Sequence, residues 1–219
     1  MSNICILIPA YNEEKNIGRV IEQARQFINE VVVVNDGSSD NTAGVAEDKG
    51  AVCLCHDYNR GKGASLQTGF EYILTKKDIT AIVVMDADGQ HDPNELPDFL
   101  ELFEKKEYDL ILGNRMLDPS GMPFLRKLTN RVMSTIISRI CKQNIPDSQC
   151  GYRLINQTVL EKTECSSLNY DWDSEILIKA ARAGFKIGWV KIRSIYNTQK
   201  SKINPFSDTI RFLNMLRKI

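Results

Sequence analysis

The stretch that decides the fold is residues 4–34, ICILIPAYNEEKNIGRVIEQARQFINEVVVV. Its first five and last four residues are short apolar runs rich in β-branched side chains, which is typical of buried strands. Between these runs, apolar residues recur at helical spacing: Ile17, Val20, Ile21, Ala24, Phe27 and Ile28. A strand, a helix and a second strand in this order predict two parallel strands joined by a crossover helix.

The same alternation continues along the first half of the chain. Further strands are predicted at 51–55, 81–85 and 110–112, with helices between them. We therefore expect an α/β fold in which a Rossmann-like, mostly parallel sheet is flanked by helices. In such sheets ligands bind beyond the carboxyl ends of the strands.

Polar clusters follow the predicted strands at the points where the strands end. They are Tyr11-Asn12-Glu13, Asn35-Asp36-Gly37, Asp86-Ala87-Asp88 and Gly113-Asn114-Arg115. Because the carboxyl ends of parallel strands lie along one edge of a sheet, we expect these clusters to meet there.

Asp86 and Asp88 form a pair of carboxylates directly after a run that is typical of a buried strand. Two carboxylates in such a place repel each other and lose solvation unless a cation neutralises them. Hard oxygen ligands suit Mg²⁺ or Mn²⁺ that bridges to substrate phosphates, and Gln90 follows within reach as another oxygen ligand. Asp-x-Asp is common in surface turns, so the prediction depends on its position after the strand.

The segment Arg60-Gly61-Lys62-Gly63 precedes a predicted helix. Glycines let a backbone approach a ligand closely, and the N-terminus of a helix favours an anion. The spacing is not that of a Walker P-loop, and a plain basic turn is the alternative interpretation.

The bulk composition limits the classes of function. Lysines plus arginines and aspartates plus glutamates number 28 each, so the net charge gives no indication of nucleic-acid binding. Residues 1–10 lack the basic region of a signal peptide, and no stretch approaches the ~18 apolar residues of a spanning helix. We expect a cytoplasmic chain, free or bound to the cytosolic face of a membrane. The six cysteines form no pair of CxxC motifs, which favours reduced thiols over a structural zinc site.

Two later segments are basic and amphipathic. Residues 119–146 contain no acid, and their apolar positions lie at helical spacing: Leu125, Leu128, Val132, Ile136 and Ile140. Residues 201–219 form a similar tail. A basic amphipathic helix can lie in a membrane interface, and the alternative is a helix docked on its own domain with its basic residues solvated.

Five motifs in order resemble glycosyltransferase family 2, and within it the dolichyl-phosphate mannose synthase-like branch that glycosylates polyprenyl phosphates. They are Pro9-Ala10-Tyr11-Asn12-Glu13, Asn35-Asp36-Gly37-Ser38-Ser39-Asp40, Arg60-Gly61-Lys62-Gly63, Met85-Asp86-Ala87-Asp88-Gly89-Gln90-His91 and Asp147-Ser148-Gln149-Cys150-Gly151-Tyr152-Arg153. The resemblance implies a GT-A catalytic domain over residues 1–200, with 119–146 on the acceptor or membrane side and 201–219 as an amphipathic tail.

The resemblance also implies roles for individual residues. The nucleoside of a nucleotide sugar would be held by Pro9, Tyr11, Glu13, Val34 and Asp36. The Mg²⁺ or Mn²⁺ on its diphosphate would be held by Asp86, Asp88 and Gln90, with Ala87 beside the donor. Lys62 and Lys202 would complete the donor site. Relatives also carry an arginine shortly before the lysine at the position of Lys202. This chain has Tyr196 there, and Arg193 would take the place of that arginine. The acceptor phosphate would meet Arg115, Arg126 and Asn130. Asp88, Arg115 and Arg126 would be the catalytic residues.

The implied reaction moves a hexose, with mannose or glucose favoured, from a GDP- or UDP-sugar to a polyprenyl or dolichyl phosphate with inversion. A phosphate monoester is largely dianionic at neutral pH and needs no protein base, and no histidine–carboxylate pair stands out in the sequence. Membrane contact would come from the two basic segments or from a membrane partner subunit.

Three other readings stay open. An acceptor hydroxyl on a glycan or protein would need a general base, for which Asp147 and Glu175 are the candidates. A catalytically silent nucleotide-sugar-binding subunit is a second, although a silent relative has no need of both aspartates. A nucleotidyltransferase is a third, and its usual N-terminal glycine-rich loop does not match Arg60-Gly61-Lys62-Gly63.

Overall fold

The computed structural model describes residues 3–169, 171–193 and 195 of the 219-residue chain. The strands are β1 (Ile4–Ala10), β2 (Glu30–Asn35), β3 (Val52–Cys55), β4 (Ala81–Val84), β5 (Leu110–Asn114), β6 (Arg153–Asn156) and β7 (Ile187–Lys191). The helices are α1 (Glu14–Ala24), α2 (Thr42–Asp48), α3 (Lys62–Leu74), α4 (Leu96–Glu104), α5 (Phe124–Cys141), α6 (Gln157–Lys162) and α7 (Trp172–Arg182). Short 3₁₀ turns follow β4 and β5 at Pro93–Glu95 and Arg115–Leu117.

The seven strands form one sheet in the order β3-β2-β1-β4-β6-β5-β7. β6 runs antiparallel to both of its neighbours, and every other neighbouring pair is parallel. The expected mostly parallel sheet flanked by helices is therefore confirmed. The antiparallel β6 and the edge strand β7 were not predicted.

Alternation along the strands places apolar side chains on both faces of the sheet. Cys5 and Leu7 of β1 face one core cluster, and Ile6 and Ile8 face the other. The first cluster includes residues of α3, α5 and α7, and the second includes residues of α1 and α4. Two buried clusters on opposite faces hold the sheet between layers of helices, and the loops at the ends of the strands are left to form a site.

Helix α5 confirms the helix expected within 119–146, and it docks by a face that mixes polar and apolar side chains. Its buried residues are Asn130, Ser134, Ile137 and Cys141. Its apolar stripe points away from the domain, with Phe124 80%, Leu125 62%, Leu128 49% and Val132 51% exposed. Helix α5 is therefore docked on its own domain, as the second interpretation expects, while only Ile136 of the apolar stripe packs against the core.

Within residues 3–169, 171–193 and 195, no helix is both long and apolar enough to cross a membrane. Cysteines in the same ranges are all free thiols, as expected. The predicted tail at 201–219, including Lys202, lies outside the described residues.

Candidate active site

The candidate site lies at the edge where the parallel strands have their carboxyl ends. β1, β2, β4, β5 and β7 all end there, and the 147–152 loop enters β6 from the same side because β6 runs in the opposite direction. The polar clusters that follow the strands therefore meet at one edge, as the alternation of elements predicts.

Asp86 and Asp88 lie in the turn after β4, and both are partly exposed. The turn is held by backbone contacts: Asp86 N donates to His91 Nδ1 at 3.0 Å, and Gln90 N donates to Asp88 Oδ1 at 2.9 Å. Burial and the nearby charge of Asp86 raise the pKa of Asp88 to about 6. Burial alone would raise the pKa of Asp86 too, but the ammonium of Lys62 and the ring of His91 outweigh it and hold that pKa well below its usual range.

Lys62 follows Gly61, which is the N-cap of α3 and has a φ of +97°. A Cβ at residue 61 would lie 2.7 Å from the carbonyl oxygen of Leu168, so both the backbone angle and the space require glycine. This turn aims the side chain of Lys62 at the acidic edge, where its Nζ lies 2.7 Å from Asp86 Oδ1.

The donor set at this edge fits a hard divalent cation. Asp86 and Asp88 supply carboxylate oxygens, and the side chain of Gln90 lies in the same turn. Among the described residues, no group of three or more His, Cys, Asp or Glu side chains could hold a metal by itself. Mg²⁺ commonly takes one or two carboxylates and completes its shell with water and substrate phosphates, so two acids suit a metal that arrives with a diphosphate.

A second, buried network surrounds Asp147 on the side of β5. Arg115 binds it with Nε and Nη2 at 2.8 and 2.9 Å, and its own backbone N–H donates to Asp147 Oδ2 at 3.1 Å. Asn130 of α5 donates to Oδ1 at 2.8 Å. Burial alone would raise the pKa of Asp147, but Arg115 and Asn130 outweigh it and lower that pKa. Asp147 is therefore an ionised acceptor that fixes the plane of the Arg115 guanidinium.

Comparison with known proteins identifies the family. Residues 5–163 match the family described as Glycosyl transferase family 2. The chain belongs to glycosyltransferase family 2. The family assigned from its motifs is thereby confirmed, and with it the assignment as a glycosyltransferase.

Several curated family 2 relatives align over most of the chain. A polyprenol monophosphomannose synthase of Mycolicibacterium smegmatis is 31% identical over 204 residues, covering 85% of this chain and 75% of the relative. A UDP-N-acetylglucosamine–dolichyl-phosphate N-acetylglucosaminyltransferase of Methanococcus voltae is 28% identical over 218 residues, covering 88% and 86%. An uncharacterized protein of Methanocaldococcus jannaschii is 33% identical over 199 residues, covering 88% and 82%.

Solved structures confirm the GT-A fold. Glucosyl-3-phosphoglycerate synthase of Mycobacterium tuberculosis, crystallised with Mn²⁺, uridine diphosphate and glucosyl-3-phosphoglycerate, superposes with a TM-score of 0.80 at 17% identity. The alignment covers 99% of this chain and 79% of that one. At this identity the likeness concerns the fold.

The nucleoside residues that family 2 implies lie together at the ends of β1 and β2. Tyr11 is 38% exposed and Pro9 and Glu13 are partly buried, so these three side chains are accessible in part. Val34 is fully buried in the core, so any contact that it makes with a nucleoside comes from its backbone. Ala87 is buried in the same way beside the two acids.

Asp36 is almost fully buried and already accepts several hydrogen bonds. Its Oδ1 accepts from Arg60 N at 2.9 Å and lies 2.7 Å from His56 Nδ1, and its Oδ2 accepts from Gly61 N at 2.8 Å. Asp36 therefore anchors the loop that carries Lys62, whatever else it contacts.

No histidine–carboxylate pair stands out in the sequence, but the fold brings two such pairs together. His56 pairs with Asp36, and its Nε2 lies 2.9 Å from Thr68 Oγ1. His91 Nε2 lies 3.7 Å from Asp86 Oδ2, while burial lowers the pKa of His91 to about 4 and keeps it neutral. The partners are 20 and 5 residues apart in the sequence, so the first pair gives no local motif. Both rings make structural hydrogen bonds, His56 with Thr68 and His91 with the backbone of Asp86.

The remaining predicted residues are spread around this edge. Arg126 lies half-buried in the first turns of α5, and Arg193 is exposed after β7, with its backbone N–H donating to Glu95 Oε1 at 2.6 Å. Asn130 is 4% exposed and belongs to the Asp147 network, so the structure joins two of the three predicted acceptor residues through Asp147.

Arg153 and Asp173 lie next to this edge and were not predicted from the sequence as part of a site. Arg153 is fully buried and donates to the carbonyl oxygens of Cys150, Ser148 and Asp173. Its position in a motif was visible, but a buried arginine at the start of a strand has no periodic signal. Asp173 was visible only as part of a helix.

Proposed function

We propose that this family 2 enzyme transfers a hexose, with mannose or glucose favoured, from a GDP- or UDP-sugar to a polyprenyl or dolichyl phosphate, with inversion. The proposed place is the cytosolic face of a membrane. Relatives at 31% and 28% identity whose names specify polyprenyl or dolichyl acceptors support this acceptor class. Because one of these relatives is named as an N-acetylglucosaminyltransferase, nucleotide-linked N-acetylated sugars are also donors to be tested.

The observation that carries the proposal concerns the two candidate general bases. Asp147 is 0% exposed and its pKa is lowered, because Arg115 and Asn130 outweigh the effect of burial. Glu175 accepts from the backbone of Ser166 and Ser167 and pairs with Lys179 at 2.8 Å; these contacts outweigh burial and lower its pKa to about 2. Neither carboxylate is suited to take a proton from an acceptor hydroxyl. A phosphate acceptor needs no such base, since it is already largely ionised at neutral pH.

The proposed reaction is a single displacement. An oxygen of the acceptor phosphate forms a bond to the anomeric carbon, and the bond from that carbon to the nucleoside diphosphate breaks, so no proton has to move. Arg115 and Arg126 would orient the phosphate, because guanidinium groups match phosphate oxygens. Asp86, Asp88 and Gln90 would hold the divalent metal, which supplies charge stabilisation to the leaving diphosphate.

The exposed stripe of α5 supports the proposed membrane side. Phe124, Leu125, Leu128 and Val132 project from the domain beside basic residues of the same helix. An apolar stripe flanked by lysine and arginine suits an interface with anionic lipids. The double variant Leu125→Ser/Leu128→Ser should lose flotation with anionic vesicles, whereas Val52→Ser, at an exposed apolar position on the edge strand β3, should float as the unaltered chain does. Equal flotation of all three proteins contradicts the membrane proposal.

The reaction is tested by incubating the purified protein with Mn²⁺, a polyprenyl phosphate and a panel of labelled nucleotide sugars, followed by extraction into organic solvent. Label in the organic phase supports transfer to the lipid phosphate and identifies the donor. Release of nucleoside diphosphate without extracted label rejects the lipid acceptor and favours a hydroxyl acceptor. If neither product forms, even with membrane fractions added, the silent binding subunit becomes the better interpretation.

A further inference from the structure

Charged side chains continue inward from the acidic edge in an alternating chain. Lys62 lies between Asp86 and Asp173, with Nζ–O distances of 2.7 and 3.7 Å. Arg153 follows, with Nη2 3.3 Å from Asp173 Oδ1. The side chains of Lys62, Asp173 and Arg153 are 14%, 9% and 0% exposed, so solvent screens these charges weakly.

Asp173 lies near two cations, but one of its carboxylate oxygens accepts no hydrogen bond from the described residues. It lies in the first turn of α7, and its buried Oδ1 has no hydrogen-bond partner among the described residues. A buried oxygen without a donor destabilises the fold, so its presence calls for another reason. The cations Lys62 and Arg153, which lie on either side of it, supply an electrostatic one.

The ammonium of Lys62 is confined to its place by Gly151. A Cβ on residue 151 would lie 2.6 Å from Lys62 Nζ and 3.1 Å from Asp86 Oδ2. The backbone at Gly151 therefore lies close to both the ammonium and Asp86, and a side chain at residue 151 would displace one of them.

We infer that Lys62 and Asp173 tune the affinity of the Asp86–Asp88 pair for its divalent cation in opposite directions. The inference rests on the metal site of the proposed function. Lys62 competes with the cation for Asp86, and its positive charge repels the cation. The negative charge of Asp173 offsets this repulsion. Asp173 thus acts on the cation by its charge and is not proposed as one of its ligands.

The test measures Mn²⁺ binding to the purified chain without nucleotide sugar, by the loss of the electron paramagnetic resonance signal of free Mn²⁺. We expect Lys62→Met to bind Mn²⁺ at least about tenfold more tightly and Asp173→Asn to bind it at least about tenfold more weakly, because charges at short range in a partly buried site interact more strongly than in bulk water. The double variant should return toward the affinity of the unaltered chain. Lys62→Arg keeps the charge and should leave the affinity within about threefold.

A matched control lies at the opposite end of the sheet. Lys76, which follows α3, pairs with Glu30 at the start of β2 at 3.1 Å. Lys76→Met and Glu30→Gln remove the same charges far from the acidic edge and should not change Mn²⁺ affinity.

The inference is supported if the two single variants change the affinity for Mn²⁺ in opposite directions. It is overturned if both change the affinity in the same direction, or if neither changes it. Should Asp173→Asn fail to fold, as seen by circular dichroism, unaltered or weakened binding by Lys62→Met still overturns it. The proposed metal site fails separately, if the unaltered chain and Asp88→Ala bind Mn²⁺ equally.

Discussion

Two charged regions lie on the same edge of the sheet and are built in opposite ways. At the end of β4, Asp86 and Asp88 are partly exposed, and the pKa of Asp88 is raised to about 6 by burial and by its neighbour. At the end of β5, Asp147 and Arg115 are buried and joined by two side-chain hydrogen bonds of 2.8 and 2.9 Å. The first region has excess negative charge, and the second pairs its charges and satisfies them with hydrogen bonds.

The first region is suited to bind an incoming cation, and the second is suited to hold a charged side chain in a fixed position. Two close carboxylates are destabilised until a cation arrives, so the first region is suited to bind metal with its donor. A buried and hydrogen-bonded ion pair resists movement of either partner, so the second region is suited to present a guanidinium in one orientation.

The largest effect is expected at the acidic edge. Asp88→Ala should abolish sugar transfer, a loss of about a thousandfold or more, because the metal that offsets the leaving diphosphate loses a ligand. The fold should persist, since Asp88 is partly exposed and lies in a turn. Initial rates with saturating Mn²⁺ and far-ultraviolet circular dichroism check both parts. Full activity would show that the metal assignment is wrong.

The paired region should respond through stability. Asp147→Asn leaves the buried guanidinium of Arg115 without its counter-charge, and removal of one partner of a buried pair costs about 3–5 kcal/mol. Unfolding in urea should therefore shift to a lower midpoint, and turnover should fall because Arg115 is no longer held in one plane. An unchanged midpoint would contradict the description of this region as a rigid support.

A smaller and more selective effect is expected at Arg126. Arg126→Ala should raise the KM for polyprenyl phosphate by about 10- to 100-fold, the scale of a charged hydrogen bond to phosphate. The KM for the nucleotide sugar should change little. Arg139→Ala, an exposed arginine near the other end of α5, is the matched control. An effect confined to the donor KM would move Arg126 to the donor side.

The smallest effect is expected for an ion pair that belongs to neither region. Glu101 and Lys105 pair at 2.9 Å on the outer face of α4, with side chains 73% and 52% exposed. Glu101→Gln should change the free energy of unfolding by less than about 0.5 kcal/mol, because solvent screens the pair. A larger loss in urea unfolding would show that pairing alone, without burial, explains the effect of Asp147→Asn.

The sequence predicted the parallel half of the sheet well because local patterns encode it. Runs such as residues 31–34 and the helical spacing after Ile17 are decided by neighbours within a few residues. β6 escaped prediction because its four residues, RLIN, begin with a buried arginine and show no alternation. Helix α5 was predicted, but which face would dock was not, since its buried face carries Asn130 and Ser134.

The sequence by itself determined the family, the α/β fold and the position of an acidic pair after a strand, because motifs and periodicity are properties of adjacent residues. The tertiary structure decided which charges meet. His56 with Asp36, Arg115 with Asp147, and Lys62 with Asp173 are separated by 20, 32 and 111 residues along the chain. Contacts of this kind form only when the sheet brings distant loops to one edge, and burial there sets how strongly the charges act.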